Sequence, residues 1–274
     1  ISDRSFRGYL SIKFLLKPIL DKINLFCVQA NRDAQRLVRL GVSKDKIKVT
    51  GNMKFDNADY ADKKTADYAD KYKILLRLSK DEKLWVAAST HPGEEEIILG
   101  AYRELLDEFP NLRLLIAPRH PERSTDIEKL IKKMSFTPIR ASLLNSRTCE
   151  LANLRTVFIL DTVGELIYFY SICDIVFVGG SLARTGGHNI LEPASLGRPV
   201  IFGPHMFNFR DISDLFMSNK AAILVRNQEE LKENIKDLLN NPLKITQFCQ
   251  RSQELILQNQ GATRKNIQYI LGLI

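Results

Sequence analysis

The sequence predicts an α/β fold built on parallel sheets, and three observations carry that expectation. From Ile23 onward, short apolar runs alternate with helix-length segments, the pattern of βαβ units. The later runs are apolar almost throughout, as in strands covered on both faces. Each is followed at once by a polar loop rich in glycine, proline or histidine, at the sheet end where open α/β folds bind ligands. With 274 residues, 45% hydrophobic and 26% charged, the chain suffices for one large or two medium domains.

The first segment, Ser5 to Ile23, mixes Arg7, Lys13, Lys17 and Lys22 with Phe6, Tyr9, Leu10, Phe14, Leu15, Leu16, Ile19 and Leu20, and is broken near Pro18. Such a basic amphipathic stretch suits an anionic membrane surface; a helix packed on a sheet with a solvated basic face accounts for it equally well. Residues 1–60 hold twelve Lys and Arg against six Asp and Glu, so +6 of the chain's net +8 lies there. No basic-aromatic module of the nucleic-acid-binding kind accompanies this charge, and no nucleic-acid partner is expected. A strand over residues 23–28, a helix over 32–40 ended by Gly41, and a strand at Ile47–Val49 follow. They read as the end of a first domain, 1–56. Residues 57–83 are polar and helix-prone, carry the hexapeptide Ala-Asp-Tyr-Ala-Asp-Lys twice, at 58–63 and 66–71, and read as a linker helix.

Residues 84–274 read as a second domain with a closing C-terminal helix. Its strands are expected at 84–88, 112–117, 157–160, 174–179 and 199–202. The loops that follow begin at Ser89-Thr90-His91-Pro92-Gly93, Pro118-Arg119-His120-Pro121, Asp161-Thr162-Val163-Gly164-Glu165, Gly180-Ser181 with Gly186-Gly187-His188-Asn189-Ile190-Leu191-Glu192, and Gly203-Pro204-His205. All five are expected to meet in one crevice. In the glycine loop, free N–H groups at a helix start favour an anion and Glu192 suits paired ribose hydroxyls; a helix-capping loop, with Glu192 answering the macrodipole, is the plainer reading. Asn189 fits the N-cap or first turn. Ser89, Thr90, Gly180, Ser181 and His188 are candidate ligand contacts. Glu94, Glu95 and Glu96 read as first-turn acids of a helix beginning near Pro92.

All four histidines, His91, His120, His188 and His205, fall in these loops, on separate segments without the i,i+4 spacing of a helical metal pair, and no metal or other cofactor is expected. Cys27, Cys149, Cys173 and Cys249 are scattered with no CxxC pair, which fits a reducing compartment. No run approaches the roughly 18 to 20 apolar residues of a spanning helix. The opening at Ile1 reads as part of something longer.

The segments Thr50-Gly51-Asn52-Met53-Lys54-Phe55-Asp56, Ser89-Thr90-His91-Pro92-Gly93-Glu94-Glu95, Ala117-Pro118-Arg119-His120-Pro121-Glu122-Arg123, Asp161-Thr162-Val163-Gly164-Glu165-Leu166, Phe177-Val178-Gly179-Gly180-Ser181-Leu182 and Gly203-Pro204-His205-Met206-Phe207-Asn208-Phe209 resemble, in order, the 3-deoxy-D-manno-octulosonic acid (Kdo) transferases of lipopolysaccharide assembly. The resemblance implies a GT-B fold: one complete Rossmann-like donor domain and the end of a second. It implies CMP-Kdo as donor, a lipid A precursor as acceptor, inversion at the anomeric carbon, and work at the cytoplasmic face of the inner membrane. CMP would then be held by Pro118 and Arg119, by Val163, Gly164 and Glu165, and by Asn189, Ile190, Leu191 and Glu192. The forked guanidinium of Arg119 suits phosphate oxygens, and Gly164 admits a base to the backbone. The family's general base, a glutamate in a glycine-glutamate motif, precedes Ile1, so no catalytic residue is assigned and the chain by itself is expected to bind CMP without transferring Kdo. The alternatives are another GT-B enzyme acting on a UDP-sugar, transferase or epimerase, and a non-catalytic nucleotide-binding remnant.

Overall fold

The computed structural model describes residues 3–56, 63–144 and 155–273. The chain divides into two compact units, one of residues 1–58 with 256–274 and one of residues 59–255.

In the first unit, helices α1 (Asp3–Ser11) and α2 (Lys13–Leu20) precede a parallel pair, β1 (Phe26–Val28) and β2 (Ile47–Val49), joined through α3 (Asn31–Leu40). Gly41 ends α3 at φ 101°, a left-handed cap that glycine adopts without steric penalty. Phe6 is buried beneath the guanidinium groups of Arg36 and Arg39, 5.5 and 5.1 Å from its ring centre. The last helix, Ala262–Leu271, expected with the second domain, groups with this first unit instead. The cause is visible at its start: the Asp56 carboxylate accepts N–H bonds from Gly261 and Thr263, both 2.5 Å, satisfying donors that a helix start leaves unpaired.

The second unit opens with α4 (Lys63–Leu75), the helix of the expected linker; residues 57–62, with most of the first hexapeptide copy, lie outside the described residues. The remaining elements are β3 (Lys83–Thr90), α5 (Glu94–Leu106), β4 (Leu112–Pro118), α6 (Ser124–Lys133), β5 (Thr137–Arg140), β6 (Thr156–Ile159), α7 (Leu166–Ile172), β7 (Ile175–Val178), α8 (Leu191–Ser195), β8 (Val200–Phe202), α9 (Arg210–Ser218), β9 (Ile223–Leu224), α10 (Gln228–Asn240) and α11 (Pro242–Asn259), whose last residues pass into the first unit. All seven strands pair in parallel in the order β5-β6-β4-β3-β7-β8-β9. The five expected strands are present. Two further edge strands, β5 and β9, join them; both are short, and β5 is half polar, so neither carries a long apolar run.

Trp85, Leu114, Ile116, Val157, Ile159, Phe177 and Ile201 pack under α5, α6 and α10, with Ile98, Leu99, Tyr102, Ile131, Leu231, Ile235 and Leu238. The other face buries Val86, Phe158, Val176 and Phe202, and α7 packs there against β3. Burial on both faces is why these strands show no alternation with polar residues. Chain order places β4 on one side of β3 and the much later β7 on the other, so the sheet reverses direction of progress between β3 and β7. That switch point opens a crevice at the carboxyl ends of the two strands.

Candidate functional site

β3 does not end smoothly. Its register with β4 shifts between Ala88 and Thr90, and Ser89 at this bulge has φ 53°, a left-handed conformation uncommon outside glycine. The bulge turns the chain into His91, Gly93 and α5. Next to it, β7 runs into Gly179, whose N–H donates to the Ala88 carbonyl at 2.7 Å. Gly179 is required by space rather than by φ: a Cβ there would fall 2.6 Å from the Ser89 carbonyl oxygen and 2.7 Å from the Thr90 Cα.

Glu94 fastens these two strand ends together. Its side chain is 1% exposed and receives five backbone N–H bonds. Oε2 accepts from His91 (2.9 Å) and Gly180 (2.7 Å), and Oε1 from Ser181 (3.0 Å), Leu182 (2.9 Å) and Ala183 (3.1 Å). The N–H groups of Gly180 to Ala183 are therefore filled by a carboxylate of the protein itself, and Glu94 acts across the crevice floor as well as at the first turn of α5. Glu95 is also buried. It accepts from the Thr90 hydroxyl (2.8 Å) and pairs with Arg123 (2.8 Å), whose guanidinium also donates to the Thr90 carbonyl (3.2 Å). Of the three acids only Glu96 is exposed, as a first-turn residue answering the dipole alone would be.

These contacts occupy several of the expected ligand-binding groups. Thr90 is fully buried with its hydroxyl committed to Glu95. The Gly180 N–H is committed to Glu94, and its φ of 67° shapes the loop. Ser181 is buried, donates its hydroxyl to the Val178 carbonyl (2.5 Å) and accepts from the Gly203 N–H (2.8 Å), tying the β7 loop to the β8 loop. The Ser89 hydroxyl, by contrast, has no hydrogen-bond partner among the described residues.

Three of the four histidines converge. His91 and His188 approach Nε2 to Nε2 at 2.8 Å, with ring planes 8° apart and centroids 5.1 Å apart. That centroid separation is the nitrogen–nitrogen distance plus the two ring radii, so the rings meet edge to edge in one plane, as a hydrogen bond between them requires. The His120 ring stands at 90° to His91, 6.1 Å away. Burial, then His91, Arg119 and His120, push the His188 pKa down to about 4; burial, opposed by Glu94, lowers that of His91. His205 joins the crevice by its backbone, donating N–H to the Ser181 carbonyl at 2.9 Å. Among the described residues no three of His, Cys, Asp and Glu are placed to hold a metal ion.

Pro118 ends β4, and Arg119 follows it, donating its N–H to the Thr90 carbonyl at 3.1 Å. The Arg119 side chain is exposed and makes no ion pair among the described residues. On the loop after β6, Val163 is 86% exposed and Gly164 has φ 87°, so main chain is offered to solvent there. The Glu165 carboxylate is held from both sides, by Tyr72 of α4 (2.7 Å) and by the Thr162 hydroxyl. Tyr68 and Tyr72 pack on Tyr168, and Tyr72 on Phe169, so α4 braces the turn that begins α7.

Asn189 sits just outside α8. Its amide oxygen accepts from the Leu191 N–H (3.1 Å) and its NH₂ donates to Glu192 (3.0 Å). Ile190 and Leu191 are buried anchors. Glu192 is partly buried, and that burial raises its pKa against the lowering effect of Asn189. α8 has only five residues, so a full macrodipole does not stand behind Glu192; the orienting contact is Asn189.

A parallel sheet covered on both faces, with its polar loops gathered at a switch point, defines the class: a Rossmann-like domain of the GT-B glycosyltransferase type. The chain is 29% identical to the C-terminal CMP-Kdo-binding domain of WaaA from Acinetobacter baumannii, with a TM-score of 0.65 over 70% of this chain and 98% of that one. Residues 1–57 match the family described as 3-deoxy-D-manno-octulosonic-acid transferase (kdotransferase). Among curated proteins, the chain is 39% identical to a 3-deoxy-D-manno-octulosonic acid transferase of Haemophilus influenzae over 97% of this chain and 60% of that protein. It is 34% identical to one of Rickettsia conorii over 95% of this chain and 54% of that protein. The resemblance to the Kdo transferase family thus extends over nearly the whole chain, which spans little more than half the length of these relatives.

Proposed function

We propose that the chain is the donor-binding part of a Kdo transferase, which passes Kdo from CMP-Kdo to a lipid A precursor with inversion at the anomeric carbon. The observation that carries this reading is the gathering, at one sheet end, of an exposed unpaired guanidinium, a solvent-facing glycine turn and a ribose-suited carboxylate on three separate loops. In this reading Pro118 and Arg119 hold the phosphate, the main chain at Val163, Gly164 and Glu165 meets the cytosine, and Asn189 to Glu192 hold the ribose. Arg119 stabilises negative charge on the departing CMP. The work of Tyr72 and Thr162 is to fix the Glu165 turn, since their bonds fill its carboxylate.

Contact with the cytoplasmic face of the inner membrane is part of the same proposal. Phe14 (74% exposed), Leu15 and Ile19 lie open on α2 beside Lys13 and Lys17, which supports surface binding; no described helix is long and apolar enough to cross a bilayer.

Calorimetric titration tests the nucleotide assignment. CMP is expected to bind more tightly than UDP, and Arg119→Ala and Glu192→Gln each to weaken CMP by roughly tenfold or more, the effect of losing a charged hydrogen bond worth about 1.5 to 3 kcal/mol. Preference for UDP would favour the UDP-sugar alternative, and unchanged CMP affinity in both variants would remove these residues from the site.

A further inference from the structure

The His91–His188 contact has a chemistry that depends on how many protons it holds. With both rings neutral, one Nε2–H donates to the other Nε2, leaving one Nδ1–H and one bare Nδ1 facing outward. One added proton goes to the bare Nδ1. The Nε2···Nε2 bond survives, and the pair becomes an imidazolium–imidazole unit with two Nδ1–H donors. A second proton would set two N–H groups against each other at 2.8 Å and break the bond. While intact, the pair therefore takes up at most one proton.

The surroundings decide what would drive that uptake. Of the charged groups around the pair, Glu94 is held by five N–H groups on both oxygens, and Glu95 is held at Oε1 by Thr90 and Arg123. His120 lies against Glu122 at 3.4 Å, both exposed. Arg119 faces His188 with no counter-ion among the described residues and disfavours a charge on it. Neither Nδ1 of the pair has a hydrogen-bond partner among the described residues, and the neighbouring Ser89 hydroxyl is likewise open. The two Nδ1 atoms lie at opposite ends of the in-line pair, so one anion can meet only one of them, and the free guanidinium that acts on His188 suits that end to an anion with several acceptor oxygens. An anion there reverses the local field and favours the charged pair.

We propose that the outward Nδ1 of His188 binds the phosphate of the nucleotide beside Arg119 and that the His91–His188 pair takes up one proton as it binds. This rests on the nucleotide reading above, and it extends that reading from the single guanidinium to a proton-coupled phosphate site.

The experiment is calorimetric titration of CMP into the 274-residue chain at pH 7.5, where the nucleotide's own phosphate is already largely doubly ionised, in phosphate-free buffers of differing ionisation enthalpy. The apparent binding enthalpy is expected to vary with buffer enthalpy with a slope of about one proton taken up. In the His91→Gln/His188→Gln double variant, which keeps amide donors but cannot titrate, the slope should fall close to zero and affinity drop by roughly tenfold. CMP binding with no buffer dependence overturns the proton-coupled pair and leaves the nucleotide reading standing; no CMP binding at all overturns both. Uptake that survives in the double variant places the proton elsewhere and also overturns the pair. Should the double variant not fold, imidazole ¹⁵N shifts of the unmodified protein give the same decision. They are expected to move toward the charged form on adding CMP at constant pH, and spectra that stay neutral refute the proposal.

Discussion

Replacing Glu94 by glutamine removes one acceptor atom and nothing else of size, yet the structure makes it a severe change. A glutamine has a single carbonyl oxygen. If that oxygen takes the Oε1 place and serves Ser181, Leu182 and Ala183, the NH₂ group faces the N–H groups of His91 and Gly180; the reverse orientation leaves three N–H groups facing a donor. Each buried unsatisfied donor costs about 1 to 3 kcal/mol, so two cost about 2 to 6. With a urea slope of about 2 kcal/mol per molar, the unfolding midpoint should fall by roughly 1 to 3 M. Hydrogen exchange should quicken at Gly180 to Ala183 first. Glu96→Gln is the control: it changes an exposed acid on the same helix turn and should stay within about 0.5 kcal/mol. If the role of these acids were only to answer the dipole of α5, Glu94→Gln and Glu96→Gln would cost the same, about 0.3 to 1 kcal/mol each. Equal midpoints for the two variants would refute the clamp.

Gly179→Ala should destabilise by about 1 to 3 kcal/mol through overpacking, because the added methyl meets the Ser89 carbonyl and Thr90 Cα; an unchanged urea midpoint would show that the bulge yields freely. The histidines set an acid limit. The folded-state pKa of His188, about 4, lies below the ordinary 6.5, so the unfolded chain binds the proton first and this group withdraws stability as pH falls from about 6.5 to about 4, with no further change below. Melting temperature followed across that window should fall less in His188→Asn than in the parent, and parallel curves would exclude the histidine as the cause. On anionic vesicles the chain should sediment at low salt and be released at high salt, the attraction being screened over about 8 to 10 Å at physiological ionic strength. Equal sedimentation with neutral vesicles would assign α1 and α2 to packing instead.

The strands of the second unit are legible in the order of residues alone, because a strand buried on both faces must be apolar along its whole length, and so are the ligand loops, because those follow the strands. The order of residues does not mark β5 or β9, where edge position removes the demand for a long apolar run. Glu94, Glu95 and Glu96 have one local meaning, three acids at a helix start, and tertiary structure separates them into a clamp on the glycine loop, a partner of Thr90 and Arg123, and a solvent-facing acid. His91 and His188 stand in different loops, 97 residues apart, and nothing local in either loop specifies their meeting. Periodicity and composition are sums over neighbours in the chain, whereas the clamp and the histidine pair depend on β7 lying beside β3, a pairing fixed only when the whole sheet assembles around its core.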